Sequence, residues 1–577
     1  MDQCQFCGGI LGAKVRFCSN CGKPVIANKA PDSSIPKVGP ISVAREIKAI
    51  SAPMYLDKRV NHPDSKTKKP NPLSIDAMTR TLFIVPDNFS SSMMAILGDF
   101  GVHAASVLSS HNASLLLSMS QEFIRNAPKG SVQYVCIIGN WGDVPPSNVP
   151  NNFMEHDSDE FCQTDALYGA TESFNSNEPF TAIPEITVGR IPIADRNIVQ
   201  RVLSNDPDVQ VNRNSFQFGV TAQCWEVASN EIVSSFSNLH KGTHEGLLPE
   251  DIKSIPKSAV ICSPEWTEKH LRQIANKGPS EPFGLIFFNV HGGADEPRWV
   301  GESEDGDYVE IFQPGTITDF NSALLLSEAC YGGAMFYDNP SIVEHFFAHG
   351  GNSFVGSSTI AYGARATPLS AADLIAKHYI NSLYAGLSQG ESLKLAKLEA
   401  LTEDPLSPEY GLKTALSFNL FGAPWQTLVR QAIPPVSNLS LQSNAIRPPS
   451  PVLDSVRSNF LSPEIIKSVT INKIRDNYLD RLPARNKQFM IEKDEVLKKL
   501  RQFRDFSRII KEIKDCRGSL VNSKMDFVSA GNSQTYRLFC QTGLNSKSKG
   551  TLILMIDTQG QLTKTIVSKE HYEMPVL

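Results

Sequence analysis

The sequence predicts an α/β protein built on largely parallel sheet, preceded by a small cysteine-rich module and followed by a small α+β domain. Three observations predict this. Short, nearly continuous apolar runs alternate with helical stretches from about residue 79 to residue 431, the pattern of strands buried on both faces. Two Cys-x-x-Cys pairs stand at the front of the chain, and an amphipathic helical pattern followed by two β-rich runs closes it.

Bulk properties set the frame. A chain of 577 residues is too long for one core, so several domains are expected. Hydrophobic residues at 41% and charged residues at 20% describe an ordinary globular protein. A net charge of −5 and a pI near 6.2 speak against nucleic acid or a membrane surface as the main partner. Met1-Asp2-Gln3-Cys4 opens no secretory signal, and no apolar run is long enough for a membrane span. Of eleven cysteines, four sit in a ligand pattern and seven are scattered singly, which fits a reducing, cytoplasmic setting.

Residues 1–25 hold Cys4, Cys7, Cys18 and Cys21, two pairs separated by ten residues with glycines beside them. That spacing predicts a tetrathiolate Zn²⁺ site and resembles zinc ribbons. So short a segment has no room for an apolar core, and the structural metal would supply its folding energy. Residues 26–78 read as a linker, with many prolines and a basic run from Asp57 to Pro70.

Within 79–431, strands are expected at Leu82–Val85, Ala104–Leu108, Tyr134–Ile138, Phe216–Ala222, Ala259–Cys262, Leu285–Val290, Ala323–Ser327 and Ser353–Val355. Helices are expected near 90–99, 114–126, 226–238, 266–276, 340–348 and 370–385. The length suggests two α/β subdomains, about 79–212 and 213–431. A second linker, 432–455, is rich in Pro, Ser and Asn. In 456–577, Val496, Leu500, Phe503, Ile510 and Ile513 predict one amphipathic helix, and Thr551–Ile556 with Leu562–Val567 predict a hairpin.

Two strand ends carry the chemistry. Leu285-Ile286-Phe287-Phe288-Asn289-Val290 runs into His291-Gly292-Gly293, and Ala323-Leu324-Leu325-Leu326-Ser327 runs into Glu328-Ala329-Cys330-Tyr331-Gly332-Gly333. Ligands of open α/β sheets bind at the carboxyl ends of strands. Neighbouring parallel strands would therefore set His291 beside Cys330. A thiol of ordinary pKa is only slightly ionised at neutral pH, so a nucleophilic cysteine needs an adjacent imidazole as acid and base.

His-Gly after one strand and Glu-Ala-Cys after the next resembles the caspase-like (caspase-haemoglobinase) fold of cysteine peptidases. Further segments narrow the resemblance: Gly139-Asn140-Trp141-Gly142-Asp143-Val144-Pro145, Thr164-Asp165-Ala166-Leu167-Tyr168-Gly169, Thr187-Val188-Gly189-Arg190-Ile191-Pro192 and Phe418-Asn419-Leu420-Phe421-Gly422-Ala423-Pro424-Trp425 are similar to the gingipain-type family. The likeness covers roughly residues 80–430. It implies Cys330 as nucleophile, His291 as acid–base, the amides of Gly292 and Cys330 as oxyanion hole, and Asp165 as the acidic residue of the primary specificity pocket. Such a carboxylate would favour Arg or Lys on the substrate.

Other side chains receive plainer readings. Glu155, Asp157 and Asp159 are alternatives for a carboxylate that orients His291. Asp295 and Glu296 read as solvated loop charges, Trp299 as a wall of the substrate groove, and His345 and His349 as packing or surface residues. Cys136, Cys162, Cys224, Cys262, Cys516 and Cys540 read as structural.

The expectation is thus an intracellular cysteine endopeptidase performing limited proteolysis of protein substrates after Arg or Lys, with self-processing in the basic run at 57–70. No cofactor is needed for the reaction beyond the structural Zn²⁺ of the ribbon. The ribbon or the C-terminal domain would dock a regulatory protein. The alternative is a non-catalytic or nucleic-acid-responsive interaction protein that keeps the domain as a scaffold.

Overall fold

In the computed structural model the described residues are 70 and 72–568, less 153, 155–156, 176–178, 205–215, 234–259, 278–282, 295, 304–307, 321–322, 336–339, 385, 403–407, 428–484, 492, 531–532 and 543–549. Cys4, Cys7, Cys18 and Cys21, the basic run up to Lys69, Glu155, Asp295 and the linker 432–455 lie outside them.

Ten strands form the central sheet. They are β1 (Thr81–Ile84), β2 (Ser106–Leu108), β3 (Tyr134–Ile138), β6 (Thr187–Ile191), β7 (Phe216–Ala222), β8 (Val260–Ser263), β9 (Phe283–Asn289), β13 (Leu324–Ser327), β14 (Ser353–Ser357) and β16 (Phe418–Phe421). Their order is β2-β1-β3-β6-β16-β14-β13-β9-β7-β8. Every neighbouring pair is parallel except β14 with β16. Two parallel halves of opposite direction therefore join edge to edge. A separate hairpin pairs β4 (Ser147–Pro150) with β5 (Phe161–Thr164).

Continuous apolar runs are explained by what each strand face meets. Leu325, Ile286 and Phe288 enter one core cluster, with Met93, Ile96, Val199 and Phe346 from the helices on that side. Leu324, Leu326, Leu285 and Phe287 enter the other, with Leu374, Ile375, Tyr379 and Leu393. A strand sandwiched this way needs an apolar residue at every position, so period-two alternation vanishes. Truncating fully buried Leu325 to Ala would cost about 3 kcal/mol. Strands β6 and β16 were not foreseen as strands. Thr187–Ile191 and Phe418–Phe421 mix Gly, Arg and Asn with apolar residues, because their polar side chains serve a buried network described below.

The C-terminal domain comprises helices Lys493–Leu500 and Phe506–Asp515 with strands β17 (Arg485–Ile491), β18 (Gly518–Ala530), β19 (Ser533–Thr542), β20 (Gly550–Asp557) and β21 (Leu562–Ser568). The expected hairpin is β20–β21. The single amphipathic helix expected here is two helices. The break at 501–505 receives the β20–β21 turn: the Asp505 amide donates to Gly560 O at 2.9 Å, and the Leu562 amide to Asp505 Oδ2 at 3.1 Å. A Cβ on Gly560 would lie 2.6 Å from Arg504 N, so only glycine allows that approach. A sixth strand, β15 (Tyr362–Ala364), comes from the α/β domain and pairs antiparallel with β21.

Candidate active site

Register decides the placement of the two expected catalytic residues. Strands β9 and β13 are parallel neighbours, with Phe288 opposite Ser327. His291 and Cys330 each follow three residues later, on the same carboxyl rim. The Glu328 amide donates to Phe288 O at 2.8 Å and carries the pairing past the strand end. A Cβ on Gly292 would stand 2.0 Å from Cys330 O, so the two segments meet backbone to backbone.

The loop after Cys330 is held by the loop after β14. Tyr331 N–H donates to Thr359 O at 2.9 Å and Gly333 N–H to Ser357 O at 2.7 Å. The Ala361 amide donates to Cys330 Sγ at 3.2 Å, and the thiol in turn donates to Ala361 O at 3.5 Å. Tyr331 adopts φ +54°, unusual for a residue with a side chain, and its hydroxyl donates to Asp159 Oδ1 at 2.6 Å. A residue strained in this way persists only where its surroundings over-determine it, as the bonds of the Tyr331 amide and hydroxyl do.

His291 opens strand β10 (His291–Gly292), which pairs antiparallel with β11 (Trp299–Glu302); β11 in turn pairs with β12 (Tyr308–Phe312). His291 faces Val300, and Glu302 is the diagonal neighbour two residues on, within reach of a long side chain. His291 Nε2 lies 2.8 Å from Glu302 Oε2. Burial alone would raise the Glu302 pKa, but the His291 hydrogen bond, the imidazole charge and Arg517 outweigh it and hold the carboxyl below its usual range. With Glu302 ionised, Nε2 carries the proton that it donates to the carboxylate. Trp225 packs on the imidazole at 4.5 Å between centroids and Tyr308 meets it edge-on at 5.4 Å.

Sequence reasoning missed Glu302, Trp225 and Tyr308. For Glu302 a signal existed: Asp305-Gly306, a hairpin dipeptide, stands between the short runs 299–302 and 308–312. Two of the carboxylates considered instead are engaged elsewhere. Asp157 and Asp159 both hold Lys413 Nζ, and Asp157 also accepts from the Tyr362 hydroxyl at 2.7 Å.

Two expectations are corrected. Asp165 is buried and clamped by Arg190, with Nε to Oδ2 at 2.7 Å and Nη2 to Oδ1 at 2.6 Å. Arg190 Nη1 donates onward to Gly139 O at 2.8 Å and Val144 O at 2.9 Å, and the Asp165 amide donates to Asn419 Oδ1 at 2.9 Å. The four motifs that carried the family resemblance thus form one buried staple across β3, β6 and β16. An arginine is bound there already, and it belongs to the fold. Trp299 is not a groove wall either. It is 1% exposed, stacked on Phe312 at 5.2 Å and packed on Phe288 at 4.9 Å, because β11 turns that side chain into the core beneath the Cys330 loop.

His291 lines a small open cleft whose walls include Cys224, Arg365 and Arg517. Cys224 Sγ donates towards Glu302 Oε2 at 3.6 Å, and burial and Glu302 push that thiol well above its ordinary pKa. Cys224, His291 and Glu302 set their donor atoms within 4.8 Å of one another. Two guanidinium groups in the same cleft oppose a cation, and the carboxylate already serves His291. The set reads as a hydrogen-bonded group rather than a metal centre.

The model of peptidase family C25 matches residues 110–428, more than half of the chain. Among solved structures, the complex of the Porphyromonas gingivalis RgpB pro- and mature domains aligns with a TM-score of 0.43 and 13% identity, covering 61% of this chain and 80% of that one. The Arg-specific cysteine proteinase gingipain R (RGPB) aligns with a TM-score of 0.43 and 13% identity, covering 64% and 79%. A structure described only as a protease aligns with a TM-score of 0.40 and 11% identity, covering 85% and 97%. No curated protein matches the sequence.

Proposed function

The chain belongs to peptidase family C25 and is a cysteine-type peptidase; from that premise we propose that it is an endopeptidase working through Cys330 and His291. One observation carries the assignment of residues: the β9–β13 register puts both at the same rim, with Gly292 against the Cys330 carbonyl. His291 Nδ1 takes the thiol proton as Cys330 Sγ attacks the substrate carbonyl, then returns it to the leaving amine. A thioacyl-enzyme remains, and water activated by the same nitrogen releases the acid. The amides of Gly292 and Cys330 are the proposed donors to the oxyanion, each worth roughly 3 kcal/mol.

Preference for Arg or Lys is not part of this reading, because the Asp165 carboxylate that suggested it is bound to Arg190. Self-processing at the basic run depended on the same preference and goes with it. A cytoplasmic setting is supported by the singly scattered cysteines, and no described helix is long and apolar enough to cross a membrane. The Zn²⁺ site at Cys4, Cys7, Cys18 and Cys21 is proposed on its ligand spacing, and elemental analysis of the purified chain tests it.

Cleavage of a fluorogenic peptide panel by wild type beside Cys330→Ala tests the function. Cleavage lost in the variant is expected, and cleavage retained would remove Cys330 from the mechanism.

A further inference from the structure

Resting on the peptidase reading above, we propose that Arg517, supplied by the C-terminal domain, is a positioning residue of the catalytic centre, acting on His291 through Glu302.

Two routes lead from Arg517 to the imidazole, one through Glu302 and one through Tyr308. Arg517 Nη2 lies 3.9 Å from Glu302 Oε1, while the other carboxylate oxygen, Oε2, meets His291 at 2.8 Å. The Arg517 guanidinium also stands over the Tyr308 ring at 5.5 Å, and that ring meets the His291 edge. Arg517 thus touches two of the groups that hold the histidine. Glu302 is partly desolvated, and the Arg517 charge is among the influences keeping it ionised. Both side chains are only about a quarter exposed or less, at 24% and 17%, so water screens the pair weakly.

The backbone of Arg517 is built for this placement. It has φ +52°, a conformation disfavoured for side-chain-bearing residues, at the junction between helix Phe506–Asp515 and β18. A second arginine fixes that junction from the peptidase side. Arg365 directly follows β15; its Nη1 lies 3.7 Å from Glu512 and donates to Cys516 Sγ at 3.4 Å.

Docking is apolar and continuous with the catalytic layer. Tyr362, Gly363 and Ala364 of β15 pair with Ser568, Val567 and Ile566 of β21. Phe539, Ile553, Met555 and Ile566 enter the same buried cluster as Cys330 and Tyr362. An interface that shares a core with the domain beneath it behaves as part of the fold, not as a loosely tethered neighbour. The C-terminal domain therefore completes the acid–base site.

The test uses the full chain with Arg517→Met, Arg517→Lys, Glu302→Gln and the Arg517→Met/Glu302→Gln pair. Arg517→Met should lower kcat about tenfold with KM nearly unchanged, and Arg517→Lys should restore most of it. The paired variant should lose no more than Glu302→Gln alone, since Arg517 acts through that carboxylate. Independently of any substrate, ¹⁵N-histidine NMR should show His291 protonated at Nε2 in wild type and a mixture of tautomers in Arg517→Met, with His291→Gln used to assign the signal. Wild-type kcat and an unchanged tautomer in Arg517→Met would overturn the proposal, as would multiplying losses in the paired variant. A shifted tautomer in a chain that cleaves no peptide would uphold the positioning and discard the peptidase assignment.

Discussion

The missing Cβ of Gly292 would lie 2.0 Å from the carbonyl oxygen of Cys330, closer than any side-chain carbon is found to a carbonyl. The obstacle is backbone on a strand rim and cannot swing away. Gly292→Ala should therefore separate the two catalytic segments and lower kcat/KM by about 10²-fold, the scale at which a small misplacement acts. Peptide hydrolysis measured beside the melting temperature checks this; full activity would show that the rim yields.

Glu302→Gln should reduce kcat on the order of 10²-fold and leave KM within a small factor. The amide keeps the shape of the side chain but no longer fixes His291 in the tautomer protonated at Nε2, and it removes the charge that stabilises the imidazolium. Steady-state kinetics decide this, and equal loss in kcat and gain in KM would point to substrate contact instead.

Asp165→Asn should cost stability and leave the cleavage pattern unchanged. Removing one charge of the Arg190 pair leaves a fully buried guanidinium half-compensated, a loss of about 3 kcal/mol. Denaturant unfolding gives the stability, and the peptide panel gives the pattern. A change of specificity with full stability would return Asp165 to the substrate pocket.

The protein should lose stability in acid through His345. His345 Nε2 lies 2.9 Å from the Gly315 amide, which can donate to it only when that nitrogen is unprotonated, and 3.0 Å from Ile317 O, a contact that opposes the shift. Burial, chiefly, and His349 lower the His345 pKa to about 4. A base whose folded pKa is depressed binds protons more readily when unfolded, so its contribution is complete above the ordinary value near 6.5 and is lost as pH falls towards 4. His345→Gln should flatten the stability curve over that window while leaving the curve near pH 8 parallel to wild type.

All eight expected strands are present, two of them to the residue, because a strand sandwiched between helix layers writes its burial into consecutive positions. The placement of His291 and Cys330 at two strand ends was legible for the same reason. Their partners were not. Glu155, Asp157, Asp159 and Glu302 are all acidic residues in polar surroundings when read as sequence. Only the pairing of β10 with β11 sets Glu302 diagonally from His291, and only the packing of Lys413 withdraws Asp157 and Asp159.

What the sequence by itself determined is the α/β class, the positions of the sheet strands and the two residues standing on their rim. Those follow from local composition, which is read along the chain. Tertiary structure alone decided that Asp165 closes on Arg190, that Trp299 lies in the core, and that Arg517 reaches Glu302 from another domain. Each is a contact across a long stretch of chain. Charge and shape complementarity select such partners only after register and packing have brought them together.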